Sequence, residues 1–394
     1  MDHSILNTEN QKFIDENLNS DVISLLLKST SNHTADKKVL IEQIEAKKRC
    51  KKKLPTWFET KGIYYPNKLN IEQTSSETTA KYKASLMSGN SIIDLTGGFG
   101  VDCLYFSKVF ENVTHCEINE SLSQIVVHNF KQLLVENVTC VDKDGMDVLK
   151  QGDQTFDCIY IDPSRRNDVK EKVFLLKDCL PNVPEHLELL FKHSKNIMIK
   201  TSPLLDLSIG INELKNVKTI HSIAVNNEVK ELLWLLERGH EGKINIKAAN
   251  LSKGVVQSFD FELSEESKAM PEYSPPLNYL YEPNAAILKV GAFNSISEKL
   301  KVYKLHRHSH LYTSENLLDF PGRHFKIESI LPYNKKQFKR IVNIEKANIT
   351  TRNFPDSVEQ VRKKLSLKDG GKDYLFCTTT SSDRKVVIVC SKVD

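Results

Sequence analysis

Acidic side chains stand at four places where a predicted strand ends and a loop begins. Asp94 closes the apolar run at 91–93, Glu117 closes the next strand, and Asp144 and Asp162 follow two further strands. The carboxyl ends of parallel strands meet at one edge of a sheet, where open α/β sheets bind their ligands. A single acid in such a loop usually caps a helix. Four acids in register predict instead one ligand site lined by carboxylates.

Glycines surround the first of these acids, in the segment 94–100 at a predicted strand-to-helix junction. Glycine lets the backbone approach a ligand closely. A dinucleotide-binding G-x-G-x-x-G motif starting at Gly98 would need glycine where the chain has Cys103, so a nicotinamide dehydrogenase is disfavoured. A carboxylate beside the glycines would repel a pyrophosphate, but it attracts a sulfonium or an amino group. S-adenosylmethionine carries both groups, and we expect it as the cofactor.

The same loops define a predicted cofactor site. We expect Glu117 to accept hydrogen bonds from both ribose hydroxyls and Asp144 to accept one from the adenine amino group. The predicted cofactor-binding residues are Asp94, Thr96, Gly97, Gly98, Gly100, Glu117, Asp144 and Gly145.

Alternating strands and helices have to position these residues. Between residues 91 and 200, five short apolar strands alternate with helical segments. This order is typical of a parallel sheet with helices on both faces. Three further strand-like segments within 219–251 fit an antiparallel edge of that sheet. The pattern predicts a mixed α/β domain.

The two ends of the chain have different patterns. Residues 1–53 are predicted to be mainly helical, and 264–276 form a polar linker that contains prolines. The C-terminal segment from residue 346 is predicted to form a strand, a helix and two strands. Ser357 and Gln360 fit a capping box at the start of that helix.

The motif set resembles that of class I S-adenosylmethionine-dependent methyltransferases over roughly residues 70–250. The similar segments are DLTGGFG, the Glu of CEIN, the Asp-Gly of DKDG, and DPSRR. More narrowly, KLPTW, NEVKELL and LYEPNAAILKVGAF resemble a bacterial subgroup that joins this catalytic domain to a small ferredoxin-like segment and a THUMP-like domain. The resemblance implies a Rossmann-like seven-stranded methyltransferase sheet, with an N-terminal helical region before it and a C-terminal α+β THUMP-like domain after it.

The resemblance also implies a domain order and a substrate class. We expect an N-terminal helical region at 1–70, a methyltransferase domain at 71–265, a ferredoxin-like segment at 272–319 and a THUMP-like, RNA-binding domain at 320–394. THUMP domains belong to RNA-modifying enzymes, which implies structured RNA, either tRNA or rRNA, as the partner.

The charge distribution supports a polyanionic partner independently. The chain has a formal net charge of +4, but residues 297–394 carry +9 and the rest carries −5. A second basic cluster lies at 47–53. Each phosphate that such residues neutralise releases counterions, which favours binding to nucleic acid.

The segment that begins at Asp162 is the predicted acceptor site. In amino-methylating relatives an acid, two prolines and an aromatic residue stand here; the acid and a proline carbonyl hold the target amine, and the ring stacks on the base. This chain departs from that pattern, because Ser164 replaces the second proline and Arg165 replaces the aromatic residue. We predict Asp162, Pro163 and Arg165 as catalytic residues that act mainly by positioning. The predicted substrate-binding residues are Gln73, Arg165, Arg166 and Asn226.

The expected reaction is methylation of a base nitrogen, such as guanine N2. The segment KTSP at 200–203 holds no cysteine nucleophile after the fifth strand, which disfavours methylation of pyrimidine C5. Tyr65 and Phe99, in predicted loops, are candidates for the missing stacking surface. Two alternatives stay open: a methyltransferase that acts on a protein or small molecule, and a non-catalytic RNA-binding protein with the same fold.

Other site classes are disfavoured by spacing. No two of the eight cysteines are closer than 13 residues, so zinc-like pairs are missing. The histidines within 304–310 alternate as on a strand, and we expect them to face RNA or solvent and no metal to be bound. No apolar run has the ~18 residues of a membrane helix, and the N-terminus lacks a signal-peptide layout. We expect a cytoplasmic protein.

Overall fold

A computed structural model of the chain describes residues 1–27, 35–165 and 175–393. They form two compact units. The first consists of Met1–Lys218 and Leu232–Glu241, and the second of Thr219–Glu231 and Gly242–Asp394. The predicted substrate-binding residue Arg166 lies outside the described residues.

Helices make up the N-terminal region and the connections between strands. The described α-helices are α1 Thr8–Glu16, α2 Val22–Leu27, α3 Lys37–Lys53, α4 Pro55–Glu59, α5 Lys68–Gln73, α6 Glu77–Ala84, α7 Val101–Phe106, α8 Glu120–Gln132, α9 Gly145–Gln151, α10 Val183–His193, α11 Leu207–Glu213, α12 Leu263–Lys268, α13 Ala285–Val290, α14 Ser295–Leu300, α15 Lys335–Ile341 and α16 Val358–Leu365. Short 3-10 turns occur at His3–Leu6 and Leu176–Asp178.

Strands begin at residue 91 and continue to the C-terminal end. They are β1 Ser91–Asp94, β2 Asn112–Cys116, β3 Val138–Val141, β4 Phe156–Ile161, β5 Ser164–Arg165, β6 Cys179–Leu180, β7 Ser194–Thr201, β8 Val217–Val225, β9 Glu228–Glu237, β10 Asn245–Ser252, β11 Val255–Glu262, β12 Tyr279–Pro283, β13 Tyr303–Lys304, β14 Tyr312–Ser314, β15 Gly322–Pro332, β16 Lys346–Arg352, β17 Lys368–Thr379 and β18 Lys385–Val393.

The first unit contains the parallel sheet that the sequence predicts. Its strands lie in the order β9-β7-β4-β1-β2-β3. β1 pairs in parallel with β2 and β4, as do β2 with β3 and β4 with β7, while β9 is antiparallel to β7. Ile92 and Ile93 of β1 are fully buried, as expected for a central strand covered on both faces. The mixed α/β class is therefore confirmed.

The N-terminal region packs through the amphipathic helix α3. Leu40 and Ile44 are buried on its inner face, and Asp36 caps its first turn by accepting a backbone N–H at 2.7 Å. Lys47 is also mostly buried and pairs with Asp15 at 2.6 Å. The predicted helix is confirmed, and part of its basic run is used inside the fold.

The second unit starts with β8, β10 and β11. β10 runs parallel to β8 and antiparallel to β11, so the prediction of a purely antiparallel edge is wrong for β10. The chain reverses at Asn226 and Asn227, which have φ values of 50° and 65° as in a two-residue hairpin turn. It reverses again after β9, and two reversals return β10 to the direction of β8.

A separate sheet forms the C-terminal part of the second unit. Its order is β13-β14-β12-β15-β18-β17-β16; among the described strand pairs of this sheet, β16–β17 is parallel and the others are antiparallel. A core that includes Phe338 of α15 and Val361 of α16 is fully buried with Leu375 and Val387 of the sheet. The predicted succession of strand, helix and two strands is confirmed here, as is the capping box of Ser357 and Gln360.

The histidine-rich stretch 306–310 does not continue a strand as predicted. It forms a turn after β13, because His310 has a φ of 50° and stacks on Phe293 with ring centroids 3.6 Å apart. Within residues 1–27, 35–165 and 175–393, no three His, Cys, Asp or Glu side chains are grouped as metal ligands. The helices of these ranges are all too short or too polar to cross a membrane.

The capping box of α16 provides a stability test. Ser357→Ala removes the acceptor for the Gln360 N–H, and loss of an N-cap costs about 1 kcal/mol. We expect the free energy of unfolding of the second unit to fall by that amount in chemical denaturation. Ser381→Ala, in the exposed turn between β17 and β18, is the matched control. Equal stability of the two variants would contradict the cap's contribution.

Candidate active site

The first acid of the site is buried at the end of β1. Asp94 is 1% exposed, and its Oδ1 accepts the Thr96 N–H at 2.9 Å and the Thr96 hydroxyl at 3.3 Å. The Cys103 thiol lies 3.4 Å from Oδ2. These contacts fix the carboxylate at the carboxyl end of the central strand, where the sequence places it.

The second and third acids hold loops that flank the same strand. Glu117 accepts the Gly98 N–H at 3.0 Å and the Asn119 N–H at 2.7 Å. Carboxylate oxygens have about four lone-pair sites, so Glu117 keeps capacity for further donors. Asp144 caps α9 by accepting the Met146 N–H at 2.7 Å, the contact expected of a lone acid at a helix start.

Close packing between loops explains two of the predicted glycines. A Cβ at Gly97 would lie 2.3 Å from the ring of the buried His115, and one at Gly145 would lie 2.5 Å from the Leu95 carbonyl oxygen. Both contacts forbid a side chain. Gly98 differs, because a Cβ there would meet only the Thr96 carbonyl oxygen at 3.8 Å. The space beside Gly98 is therefore open to a ligand.

Burial and like charge perturb the acid at the centre of the site. Burial, and then the neighbouring carboxylates Asp102 and Asp162, raise the pKa of Asp94 to about 7, against hydrogen bonds from Thr96 and Cys103. A cationic ligand beside Asp94 would favour the ionised carboxylate. The site is thus suited to an ammonium group.

A threonine links the first acid to the predicted acceptor site. The Thr96 hydroxyl, which contacts Asp94, also accepts the backbone N–H of Asp162 at 2.7 Å. Asp162 in turn forms an ion pair with Lys200 of β7. Lys200 was not among the predicted site residues, although a lysine directly after the apolar run NIMI was a signal for it.

A buried charge cluster near Asp94 was also not predicted. Asp102 of α7 contacts the Lys83 ammonium at 3.0 Å and accepts the hydroxyls of Ser75 and Tyr160 at 2.8 and 2.9 Å. Burial opposes the charge, but Lys83 and Lys200 hold the pKa of Asp102 below its ordinary value. Through Asp102, the cluster attaches Ser75 and Lys83, which precede β1, to Tyr160 of β4.

The remaining predicted substrate residues lie on different elements of the chain. Gln73 is exposed at the end of α5. Asn226 lies in the second unit, where its side chain accepts the Ser252 hydroxyl at 3.0 Å. Arg165 has its backbone in β5, which pairs with β6 and fixes the chain after Pro163.

The predicted stacking residues are not available for stacking. Tyr65 is buried and donates its hydroxyl to the Trp57 carbonyl oxygen, and the buried Phe99 ring packs against Trp57 at 6.0 Å. Ile118, directly after Glu117, is 72% exposed instead. Its place in the CEIN segment, next to the predicted ribose ligand, is the sequence signal for an apolar surface there.

The chain shares segments and a whole-chain structure with known proteins. Residues 322–392 match a "THUMP domain-like" family model, and 279–321 match a "ferredoxin-like domain" model. The crystal structure of a protein from Porphyromonas gingivalis W83, described as a "putative methyltransferase", matches with a TM-score of 0.88 and 32% identity over 100% of this chain and 99% of that chain. The chain belongs to this methyltransferase family.

Two other solved structures match a smaller share of this chain. The methyltransferase-like protein yhhF from Escherichia coli is 19% identical over 41% of this chain and 84% of that chain, with a TM-score of 0.31. An rRNA methylase from Streptococcus thermophilus is 13% identical over 41% of this chain and 93% of that chain, with a TM-score of 0.30. No curated protein sequence gives a significant match.

The geometry of the site fits the cofactor expected from the sequence, S-adenosylmethionine. The chain belongs to a methyltransferase family and has a ferredoxin-like segment and a THUMP-like domain. The buried carboxyl of Asp94, with its raised pKa, and the open space beside Gly98 fit a ligand with an ammonium group. When bound, this cofactor supplies an electrophilic methyl group on a sulfonium sulfur.

The raised pKa of Asp94 makes cofactor affinity dependent on pH. Below pH about 7 the free carboxyl is largely protonated, and binding an ammonium requires that this proton be released. As the pH rises towards 7, we expect the dissociation constant of S-adenosylhomocysteine, measured by calorimetry, to fall by up to about tenfold per pH unit and then to level off.

Asp94→Asn is the matched control for this titration. It should bind more weakly and lose the dependence, because the amide does not ionise in this range. A wild-type affinity that stays constant between about pH 5.5 and 7, or that strengthens towards acid, would contradict the role of Asp94.

Proposed function

We propose that this chain methylates a nitrogen of a base in structured RNA, either tRNA or rRNA. The observation that carries the proposal is the link through Thr96, which joins the cofactor-side acid Asp94 to Asp162, a partly exposed acceptor at the adjacent strand end. A hydrogen-bond acceptor at that position can hold a nitrogen that carries a proton and aim it at the methyl group.

The proposed cofactor contacts follow from the strand-end loops. Asp94 receives the ammonium group, while Glu117 receives the ribose hydroxyls beside its contact with Gly98. Asp144 is assigned to the adenine amino group, and the exposed Ile118 supplies an apolar face for the adenine ring. Thr96, Gly97, Gly100 and Gly145 shape the loops around the cofactor.

The proposed acceptor site consists of Asp162 and Pro163, with Arg165 and Arg166 contacting the nucleotide. An arginine plane can stack on a base or bind phosphate. Gln73 and Asn226 are retained as proposed substrate contacts. We also propose the domain division 1–70, 71–265, 272–319 and 320–394.

The C-terminal unit is proposed to bind RNA mainly through phosphates. Helix α15 presents four exposed basic side chains, at Lys335, Lys336, Lys339 and Arg340. Phe338, on the opposite face of the helix, is fully buried and anchors the helix to the core. Positive side chains on an anchored helix are suited to a phosphate backbone, since they contact it without reading the base sequence.

Asp162→Asn tests the acceptor assignment. The full-length protein should lose roughly 10²-fold or more of its turnover on bulk RNA from a strain lacking the gene, because the group that aligns the nitrogen is gone. Affinity for S-adenosylhomocysteine should stay within about threefold of wild type. Asp153→Asn, whose side chain is fully exposed, is the control. Near-normal turnover of Asp162→Asn would contradict the assignment.

Charge removal on α15 tests the RNA surface. Replacing Lys335, Lys336, Lys339 and Arg340 by Gln should weaken binding to structured RNA and reduce the salt slope by up to about 0.7–0.9 for each phosphate that the variant no longer neutralises. The measurement is a filter-binding or anisotropy titration at several salt concentrations. The control carries Gln at four exposed lysines of the first unit, Lys38, Lys143, Lys192 and Lys215. Equal slopes for both variants would place the RNA surface elsewhere.

A further inference from the structure

We propose that Asp162 and Lys200 act together on a ring N–H that stands beside a carbonyl, the arrangement found at guanine N1 and uracil N3. The inference rests on the proposed RNA function and narrows it. It replaces the exocyclic amine expected from the sequence, such as guanine N2, by a ring nitrogen of the lactam type.

The pairing of two neighbouring strands places Asp162 beside Lys200. β4 and β7 are neighbouring parallel strands, and Ile161 stands opposite Ile199 in their register. Asp162, directly after β4, and Lys200, within β7, are the next residues and therefore lie side by side at the carboxyl edge. The Lys200 ammonium contacts Oδ2 of Asp162. The Lys200 side chain is 13% exposed and that of Asp162 is 32% exposed, so both are sheltered and Asp162 stays accessible.

The positive charge of Lys200 also acts on a second carboxylate, that of Asp102. Together with Lys83 it helps to hold the pKa of the buried Asp102 low, against burial. Lys200 thus places a positive charge near both Asp102 and Asp162. Lys200 therefore acts electrostatically inside the first unit and also contacts the accessible Asp162.

An exocyclic amine would gain little from this lysine. Its nitrogen becomes positively charged as it is methylated, and an ammonium beside the acceptor carboxylate weakens the negative potential that stabilises that charge. A lone carboxylate would serve such an acceptor better. The observed pairing is therefore unfavourable for amino-group methylation.

A lactam nitrogen has the opposite requirement. Its lone pair is delocalised into the adjacent carbonyl, and it becomes nucleophilic when its proton leaves and negative charge collects on the carbonyl oxygen. A carboxylate can take the proton and a neighbouring cation can stabilise the oxygen. Asp162 and Lys200 supply these two groups within one contact.

The step balances as a simple methyl transfer. The ring N–H proton passes to the Asp162 carboxylate, and the nitrogen lone pair forms the new bond to the methyl carbon. The electrons of the broken carbon–sulfur bond remain on sulfur, which changes from a sulfonium to a neutral thioether. The Asp162 proton is then released to solvent. Lys200 keeps its charge throughout and donates to the carbonyl oxygen.

Nucleoside mass spectrometry tests the acceptor class directly. Bulk RNA from a strain lacking the gene is incubated with the full-length protein and S-adenosylmethionine, and the hydrolysed nucleosides are compared with an untreated sample. We expect the gained nucleoside to be 1-methylguanosine or 3-methyluridine. Gain of N2-methylguanosine, N6-methyladenosine or N4-methylcytidine would overturn this inference but preserve the proposed function. Absence of any gained methylnucleoside would contradict the proposed function itself.

Variants of Lys200 test its part in the step. Lys200→Gln should lower kcat on the same RNA by roughly 10²-fold, as for loss of one donor to a developing oxyanion. KM for RNA and affinity for S-adenosylhomocysteine should change less than about threefold. Lys200→Arg keeps the cation and should recover most of the loss. Lys195→Gln is the control, because Lys195 lies on the same strand and pairs with Glu237 at the surface.

The outcome for Lys200→Gln decides between chemical and structural roles. A fall in kcat with rescue by Lys200→Arg supports the pair. An unchanged or raised kcat, or an equal loss in both variants together with weakened S-adenosylhomocysteine binding, would overturn it.

Discussion

The hydroxyl of Thr96 is the contact on which the active site depends. It donates to the buried Asp94 at the end of β1 and accepts the backbone N–H of Asp162 at the end of β4. Two neighbouring strand ends, one proposed to face the methyl donor and the other the methyl acceptor, are thereby held at a fixed separation. Alignment of this kind supplies a large part of the barrier reduction when two reactants are bound together.

Burying several charges close together is the cost of this arrangement. Asp94, Asp102 and Asp162 lie near one another, and two lysines, Lys83 and Lys200, pair with the latter two acids. The pKa of Asp94 rises to about 7, because burial and the neighbouring carboxylates outweigh its hydrogen bonds. This carboxyl makes the protein receptive to a cationic ligand, and we propose that the Asp162–Lys200 pair takes part in proton transfer.

Much of the fold followed from patterns that are local in the chain. The apolar runs that precede Asp94, Glu117, Asp144 and Asp162 indicated the strand ends, since side-chain period and burial act within a few residues. The direction of β10 was missed because pairing partners far apart in sequence leave no local signal. The turn at 306–310 was missed because His310 adopts a positive φ, which its residue type does not predict.

The residues of the site were likewise predictable where the signal is local in the chain. Acids at strand ends were found because they interrupt apolar runs, but the contact between Lys200 and Asp162 depends on the register of β4 and β7, which are far apart in sequence. The stacking surface was misplaced because Tyr65 and Phe99 pack inwards on Trp57. The most direct test is a crystal structure of the full-length protein with S-adenosylhomocysteine. We expect the amino group of the ligand to be hydrogen-bonded to Asp94, its ribose to Glu117, and its sulfur to face Asp162. A ligand bound without contact to Asp94, or with its sulfur turned away from Asp162, would contradict it.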